Sequence, residues 1–406
     1  MRLIVPVIFI ILFVSLIDLY LFRALKIFVK KLSNEKLKKW IYIFHWLIPV
    51  LTIIIYLIVN FKVASIREPQ NYVYIFTAFG VFFLIYVPKI VFSIFFILED
   101  ILNLLLRIFK RTKNRFNYIS FIAFPISMIF GFFILYGMLW GKNDLQIQRS
   151  QISLSSMPAS FNNLKIVQIS DWHFGSYGGD TIMVKKICDK VNEEKPDLIF
   201  FTGDLVNNFA EETNGYEKYL KGLKAKFGKF SVLGNHDYGD YYKWNDSTEK
   251  KENFKKIIEF EEKCEFYVLR NDFYRICYMG NCLCIMGVEN WGKPPFKQYG
   301  DLKKTYRHSV NKDFKLLLTH DPDHWRAEVL DFDIDITFSG HTHGMQIGFP
   351  WFGERKSPAS LRFKEWRGIY NEGEKYLHVN VGVGFIGLPA RIFMPPEISV
   401  ITLNQK

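Results

Sequence analysis

The chain has 406 residues, of which 50% are hydrophobic and 17% aromatic, and its net charge is +12. The charge is uneven: residues 1–140 hold 16 of the 52 Lys/Arg but only 5 of the 40 Asp/Glu, leaving 36 against 35 for the remainder. A nearly neutral second part carries no phosphate-backbone footprint, so nucleic acid is not an expected partner, and the basic excess belongs to membrane-flanking loops.

In chain order, four apolar stretches approach the roughly 20 residues needed to cross a bilayer: residues 3–21, 40–59, 72–92 and 118–140. They define a membrane domain over 1–140 with about four transmembrane helices, and a linker over 141–163. The first stretch lacks a small-residue cleavage site and reads as an anchor rather than a removed signal peptide. The third is interrupted by Pro88 and Lys89, and the run after it, "IVFSIFFILEDILNLLLRIF", reads either as an extension of the span or as a surface helix. Lys and Arg cluster in the segments 23–39 and 107–115, which positive-inside bias keeps in the cytoplasm. The N-terminus and everything after Trp140 then lie outside the cytoplasm. Asp18 and His45 fall inside spans, where ionisable groups mark ion paths, but two isolated ones favour an anchor over a transporter.

From about Leu164 short apolar runs alternate with helical ones, the pattern of βαβ units. "LKIVQIS" precedes a helix over 180–194, "DLIFFTGD" a helix over 216–226, and "KFSVLGNHD" a helix over 249–263. In open α/β sheets ligands sit beyond the carboxyl ends of the strands. Here those ends are polar: Asp171 and His173; Asp204; Asn235, His236 and Asp237; His320; and His341 with His343. A lone Asp after a strand is usually a turn former or helix cap. The same accident at five strand ends is not expected.

These blocks, D-x-H, G-D, G-N-H-D, H and G-H-x-H in that order, resemble the calcineurin-like metallophosphoesterases over residues 164–406. "GHTHG", "VLGNHDY" and "GLPARIFMPPEISVITL" look like the bacterial YkuE/YaeI-like, membrane-associated branch, with Met345 standing where that branch has Gly. The resemblance implies an α/β (α+β) domain of two packed sheets flanked by helices, following the all-α transmembrane region. It implies two divalent ions (Mn, Fe or Zn), one held by Asp171, His173 and His343, the other by Asn235, His320 and His341, with Asp204 between them. It further implies in-line attack of metal-bound hydroxide on phosphorus, with His236 protonating the leaving group and Asp237 orienting the His236 ring. Carboxylate, amide and imidazole suit such borderline ions.

The expected function is hydrolysis of a phosphoester or pyrophosphate, with four spans pointing to a membrane-resident or lipid-linked substrate. The alternative is a non-catalytic metal-binding sensor or scaffold. "GVGFIG" at 382–387 matches a dinucleotide fingerprint, but no helix follows it through Pro389, Pro395 and Pro396, so its glycines are expected at the site rim. Cys277 and Cys284 are candidates to face each other across a hairpin turning at Gly280–Asn281. His308, His324 and His378 are expected to be structural or surface residues. "FPWFGERKSPASLRFKEW", directly after the metal loop, reads as a core strand with a loop, or as a lid resting on lipid.

Overall fold

The computed structural model describes residues 4–62, 67–110, 115–293, 297–307 and 312–406; His308 lies outside them. The chain divides into two compact units, residues 1–66 with 74–138, and residues 67–73 with 139–406.

The first unit contains α1 (Ile4–Val29), α2 (Glu35–Lys62), most of α3 (Pro69–Lys110) and α4 (Tyr118–Leu139), each long and apolar enough to cross a membrane. The third span is not interrupted at Pro88 and Lys89: α3 is one 42-residue helix running through both. Lys89 does not break it because its ammonium points into the bundle, 2.7 Å from Asp18 Oδ1. Tyr86 donates to the other Asp18 oxygen at 2.9 Å, and His45 Nε2 lies 3.0 Å from the Asp18 carbonyl. A buried charge that is paired and hydrogen-bonded is tolerable where a lone one is not. At 1.5 Å per residue α3 measures about 60 Å, twice the hydrocarbon thickness of about 30 Å. The run after Phe92 is therefore the continuation of this helix. Its Glu99 receives the Ser120 N–H at 2.8 Å in the first turn of α4, where a helix N-terminus favours a carboxylate.

The second unit opens on β1 (Gln146–Leu154), inside the stretch expected to be a linker. Six of its nine residues are polar, which hides it from an apolar pattern; it pairs in parallel along the C-terminal strand β14 (Glu397–Gln405), from Gln146 opposite Glu397 to Leu154 opposite Gln405. Next come β2 (Leu164–Ile169), α5 (Ile182–Glu193), β3 (Leu198–Phe201), α6 (Glu217–Lys221), β4 (Lys229–Ser231), α7 (Ser247–Lys263) and β5 (Phe266–Val268). One sheet runs β1-β14-β2-β3-β4-β5. The other is built from β6 (Asp272–Tyr278), β7 (Asn281–Gly287), β8 (Phe314–Leu318), β9 (Ile336–Ser339), β12 (Gly368–Glu372) and β13 (Lys375–Val379), in the order β12-β13-β9-β8-β7-β6. A separate hairpin, β10 (Phe349–Trp351) and β11 (Glu354–Lys356), stands outside both sheets. The short helices α8 (Leu302–Arg307) and α9 (Asp323–Ala327) complete the unit.

Apolar residues of both sheets, among them Ile166, Phe200, Leu316 and Phe338, form a buried layer between them. The outer face of the first sheet packs on α5, α6 and α7 through Val184, Ile187 and Ile257. One polar bridge joins the sheets: Gln168 donates to Thr202 Oγ1 (3.0 Å) and to the Ser339 carbonyl (2.8 Å), and its Oε1 meets His378 Nδ1 at 2.7 Å. Burial draws His378 down to about 3, so it stays neutral in this structural role. His324, clasped between Thr319 and Glu328, is structural too.

The β6–β7 hairpin corrects the cysteine register. Met279 (φ 46°) and Gly280 (φ 79°) form a two-residue left-handed turn, so Cys277 lies opposite Cys282 and is disulfide-bonded to it. Cys284 faces Arg275 instead and is buried, outside the disulfide.

Candidate metal centre

Five strands end at one place. The segments after β2, β3, β4, β8 and β9 deliver Asp171 and His173, Asp204, Asn235 to Asp237, His320, and His341 with His343. The backbone is unusual there: Asp171, His173, Asp204, His341 and His343 all have φ between 48° and 71°. This left-handed region is uncommon for residues with a Cβ and clusters at functional sites. The glycines of the motifs act in two ways. Gly203 itself has φ 93°, whereas Gly234 and Gly340 are needed for close approach. A Cβ on Gly234 would sit 2.1 Å from Asp204 Oδ1, and one on Gly340 1.9 Å from Ser170 Oγ.

The side chains form two donor groups, Asp171–His173–His343 and Asp204–His320–His341, each with its ligand atoms within 4.8 Å of one another. In the first, His343 Nε2 lies 3.1 Å from His173 Nε2 and 3.3 Å from Asp171 Oδ1. In the second, His320 Nε2 lies 3.1 Å from His341 Nδ1 and 3.2 Å from Asp204 Oδ2. Asp204 Oδ2 is also 3.5 Å from His173 Nε2, so it stands between the groups. Asn235 donates from its amide nitrogen to Tyr241 (2.7 Å), while its Oδ1 is buried and has no hydrogen-bond partner. A buried amide oxygen without a hydrogen bond, and imidazole nitrogens that converge on one another next to carboxylates, are the donor chemistry of a divalent cation.

The electrostatics agree. Burial pulls His320 down, but the Asp204 carboxylate outweighs it and lifts the imidazole to about 10. Burial would raise Asp204, yet the surrounding histidines, His320 first, hold it well below the usual carboxylate range. His320 Nδ1 is spent on the Thr202 carbonyl (2.7 Å), which leaves Nε2 as the ligating atom.

His236 belongs to neither group. Its ring is fixed by Nδ1 on the Asn207 carbonyl at 2.8 Å, beside Tyr241 at 4.5 Å between centroids. Asp237 was expected to orient this ring, and it does not. Its Oδ2 accepts from the N–H groups of Asp204 (3.0 Å) and Gly234 (2.8 Å), its Oδ1 from Leu205 (2.8 Å) and Val206 (3.3 Å). Those four backbone donors lie next to the Asp237 carboxylate and consume it. Burial pushes the carboxyl up to about 7, the Asp204 charge adds to this, and the donors oppose it.

Three contributors were not singled out from sequence. Asn207 acts through its carbonyl. Glu212 holds the Asn207 loop, accepting from the N–H groups of Asn207, Asn208, Phe209 and Gly175 at 2.6–2.9 Å. Arg391, fully buried, braces the loop behind the first donor group: it donates to the carbonyls of Val381, Gly382 and Gly384 and comes within 3.4 Å of His343 Nδ1. Of the "GVGFIG" glycines, Gly382 and Gly384 sit behind Asp171 rather than at the rim: a Cβ on Gly382 would sit 2.8 Å from the Asp171 Cβ and one on Gly384 2.1 Å from the Trp172 carbonyl, whereas Gly387 has open space around it. Met345 is 42% exposed with φ 48°, a conformation in which Gly would be unstrained.

Residues 164–345 match the family described as Calcineurin-like phosphoesterase, and residues 1–142 match the family described as Probable Calcineurin-like phosphoesterase, transmembrane domain. The uncharacterized metallophosphoesterase YkuE of Bacillus subtilis is 32% identical over 260 residues, covering 63% of this chain and 84% of that one. The chain belongs to the calcineurin-like metallophosphoesterases. Among other relatives of this metallophosphoesterase, Cj0846 of Campylobacter jejuni is 29% identical, with 76% of each chain covered. LpxG of Chlamydia muridarum, a UDP-2,3-diacylglucosamine pyrophosphatase, is 28% identical, covering 64% of this chain and 89% of its own.

Proposed function

We propose that this integral membrane metallophosphoesterase is a dinuclear hydrolase of a lipid-linked phosphoester or pyrophosphate, with its active site outside the cytoplasm of a bacterial cell. The observation that carries the dinuclear reading is Asp204, whose one oxygen faces both donor groups. Asp171, His173 and His343 would hold one ion, Asn235, His320 and His341 the other, and Asp204 both. Bound ions of this kind polarise phosphoryl oxygens and lower the pKa of a water to about 7.

The chain's own part is positioning and proton transfer. With Nδ1–H committed to Asn207, His236 offers Nε2 to the leaving oxygen. That nitrogen carries a proton only in the imidazolium form, which burial disfavours and the charge of a bound phosphate favours. Asp237 is a positioning residue: it ties the Asp204 loop to the Asn235–His236 loop. The name of LpxG supports a pyrophosphate attached to an acylated sugar as the substrate class.

Two observations support the orientation. Basic loops flank the spans as described. The Cys277–Cys282 disulfide suits an oxidising compartment.

The test is hydrolysis by the full-length protein in detergent with Mn, Fe or Zn, on phosphomonoester, phosphodiester and lipid-pyrophosphate substrates, beside His236→Ala and Asp204→Asn. Metal-dependent turnover that collapses in both variants is expected. A domain with two metals bound and no turnover on any substrate would return the reading to a sensor or scaffold. A reporter fused after Lys406 that proved cytoplasmic would overturn the orientation.

A further inference from the structure

The hairpin of β10 and β11 does nothing for the fold that its residues would predict. Among the described residues its two strands pair with each other, Phe349 opposite Lys356 and Trp351 opposite Glu354, and join neither large sheet. Its turn places Phe352 at φ 46° and Gly353 at φ 83°. A phenylalanine at a position that favours glycine is costly, and this one is also 92% exposed. Trp351 packs edge-on against it, with ring centroids 5.1 Å apart, and is itself 61% exposed. Both rings face water although neither is needed by a core.

The root of the hairpin is stitched to the candidate metal loop. Ser357 Oγ donates to the Gly344 carbonyl at 2.7 Å, and Thr342 Oγ1 to the Trp366 carbonyl at 2.7 Å. The ring of Phe363 lies 5.5 Å from that of His341. The hairpin tip is thus joined to the loop that carries His341 and His343 through one short segment, and the loop's own bonds do not depend on the tip.

We infer that the Trp351–Phe352 tip is an interfacial anchor that inserts into the headgroup layer of a bilayer and sets the metal loop at the height of a lipid-borne phosphate. The second half of this statement rests on the phosphoesterase reading of the site; the first does not. The occupant is argued from two features. The chain carries four helices able to cross a membrane, and β1 begins only seven residues after Leu139, the end of α4, so a lipid surface is within covalent reach of this domain. The charge around the tip also complements anionic headgroups: the segment 349–367 carries Arg355, Lys356, Arg362, Lys364 and Arg367 against Glu354 and Glu365, and although Lys356 pairs with Glu354 and Arg362 with Asp323, the excess is positive and Lys364 is exposed. Aromatic residues flanked by cations are the chemistry of the membrane interface.

The test uses the full-length protein in nanodiscs of equal phosphatidylglycerol and phosphatidylcholine. A Phe352→Cys variant carries an environment-sensitive dye, with Lys185→Cys on the exposed face of α5 as control; the native thiols of Cys188, Cys264 and Cys284 are buried. Headgroup spin-labelled lipid should quench the dye at 352 at least threefold more than the dye at 185, and Trp351→Glu should abolish the difference. Equal quenching at the two positions overturns the inference, as does a dye at 352 shielded from water but untouched by the lipid label, which would mean a second copy covers the tip. In parallel, the Trp351→Glu/Phe352→Glu variant should keep hydrolysis of a soluble bis-nitrophenyl phosphate within twofold and lose at least tenfold on a lipid pyrophosphate in the disc. Equal loss on both would overturn the positioning of the metal loop. A wild-type protein that hydrolyses neither would sink the phosphoesterase reading, while the quenching still decides the anchor.

Discussion

Replacing Asp237 by Asn separates a positioning carboxylate from a catalytic one. The native carboxylate accepts four backbone N–H groups, from Asp204, Leu205, Val206 and Gly234. An amide of the same shape keeps one acceptor oxygen and turns a donor toward the other two N–H groups. Each buried donor left without a partner costs about 1–3 kcal/mol, so the substitution should destabilise the domain by roughly 4 kcal/mol. At about 2–4 °C per kcal/mol for a domain of this size, the expected fall in Tm is on the order of 10 °C. The reporters are near at hand: Trp172 is buried beside the site, and near-UV circular dichroism of the detergent-solubilised full chain follows its packing. His236→Ala removes no backbone bond acceptor and should leave Tm within a few degrees while lowering kcat by about 10²–10⁴-fold. The reasoning is refuted if Asp237→Asn melts like the wild type yet loses kcat as His236→Ala does, because the carboxylate would then act on the reacting atoms and not through the backbone.

Asp204→Asn should lower occupancy of both metal positions, measured by elemental analysis after dialysis, whereas loss of one ion per chain would show that the two groups bind independently. In the metal-free domain His320 is protonated at neutral pH, and a metal must displace that proton; affinity at its site should rise by about tenfold per pH unit between 7 and 9, read by chelator competition. The sign for stability is opposite. A raised imidazole pKa stabilises the metal-free fold fully below about 6.5, and this is lost as pH rises through about 10, so a chelated sample should melt progressively lower across that window. In the membrane unit, Lys89→Met strands the fully buried Asp18 carboxylate and should cost about 3–5 kcal/mol, seen as earlier loss of helicity in a denaturing-detergent titration. The Asp18→Asn/Lys89→Met double variant should recover most of it.

What was legible in the sequence was local. An apolar strand that runs straight into Asp, Asn or His announces itself within ten residues, and five such strands meet at one centre here. Pairing partners are not local, and there the sequence was a poor guide. β1 is an edge strand with apolar residues only at Ile147, Ile152 and Leu154, so neither alternation nor a continuous apolar run marks it. The cysteine register depended on whether the turn fell at Met279–Gly280 or one residue later, and a one-residue shift of the turn moves the partner of Cys277 by two. Lys89 looked like a break because only its partner, 71 residues away, makes a lysine acceptable in a span.

The supporting residues of the centre were hidden for a different reason. Asn207 contributes a carbonyl that any residue could supply, and Glu212 and Asp237 spend their charge on backbone N–H groups, so no side-chain motif reports what they do. Their necessity follows from the backbone they hold. Five of the candidate ligands occupy left-handed conformations that a free loop would leave. Asp237 ties the loop of Asp204 to that of His236, Glu212 fixes the segment that aims His236, and Arg391 clamps the carbonyls behind Asp171. The strain at the metal centre and the three buried charges around it are thus one arrangement: the ligands converge because the charges hold backbone that would otherwise relax.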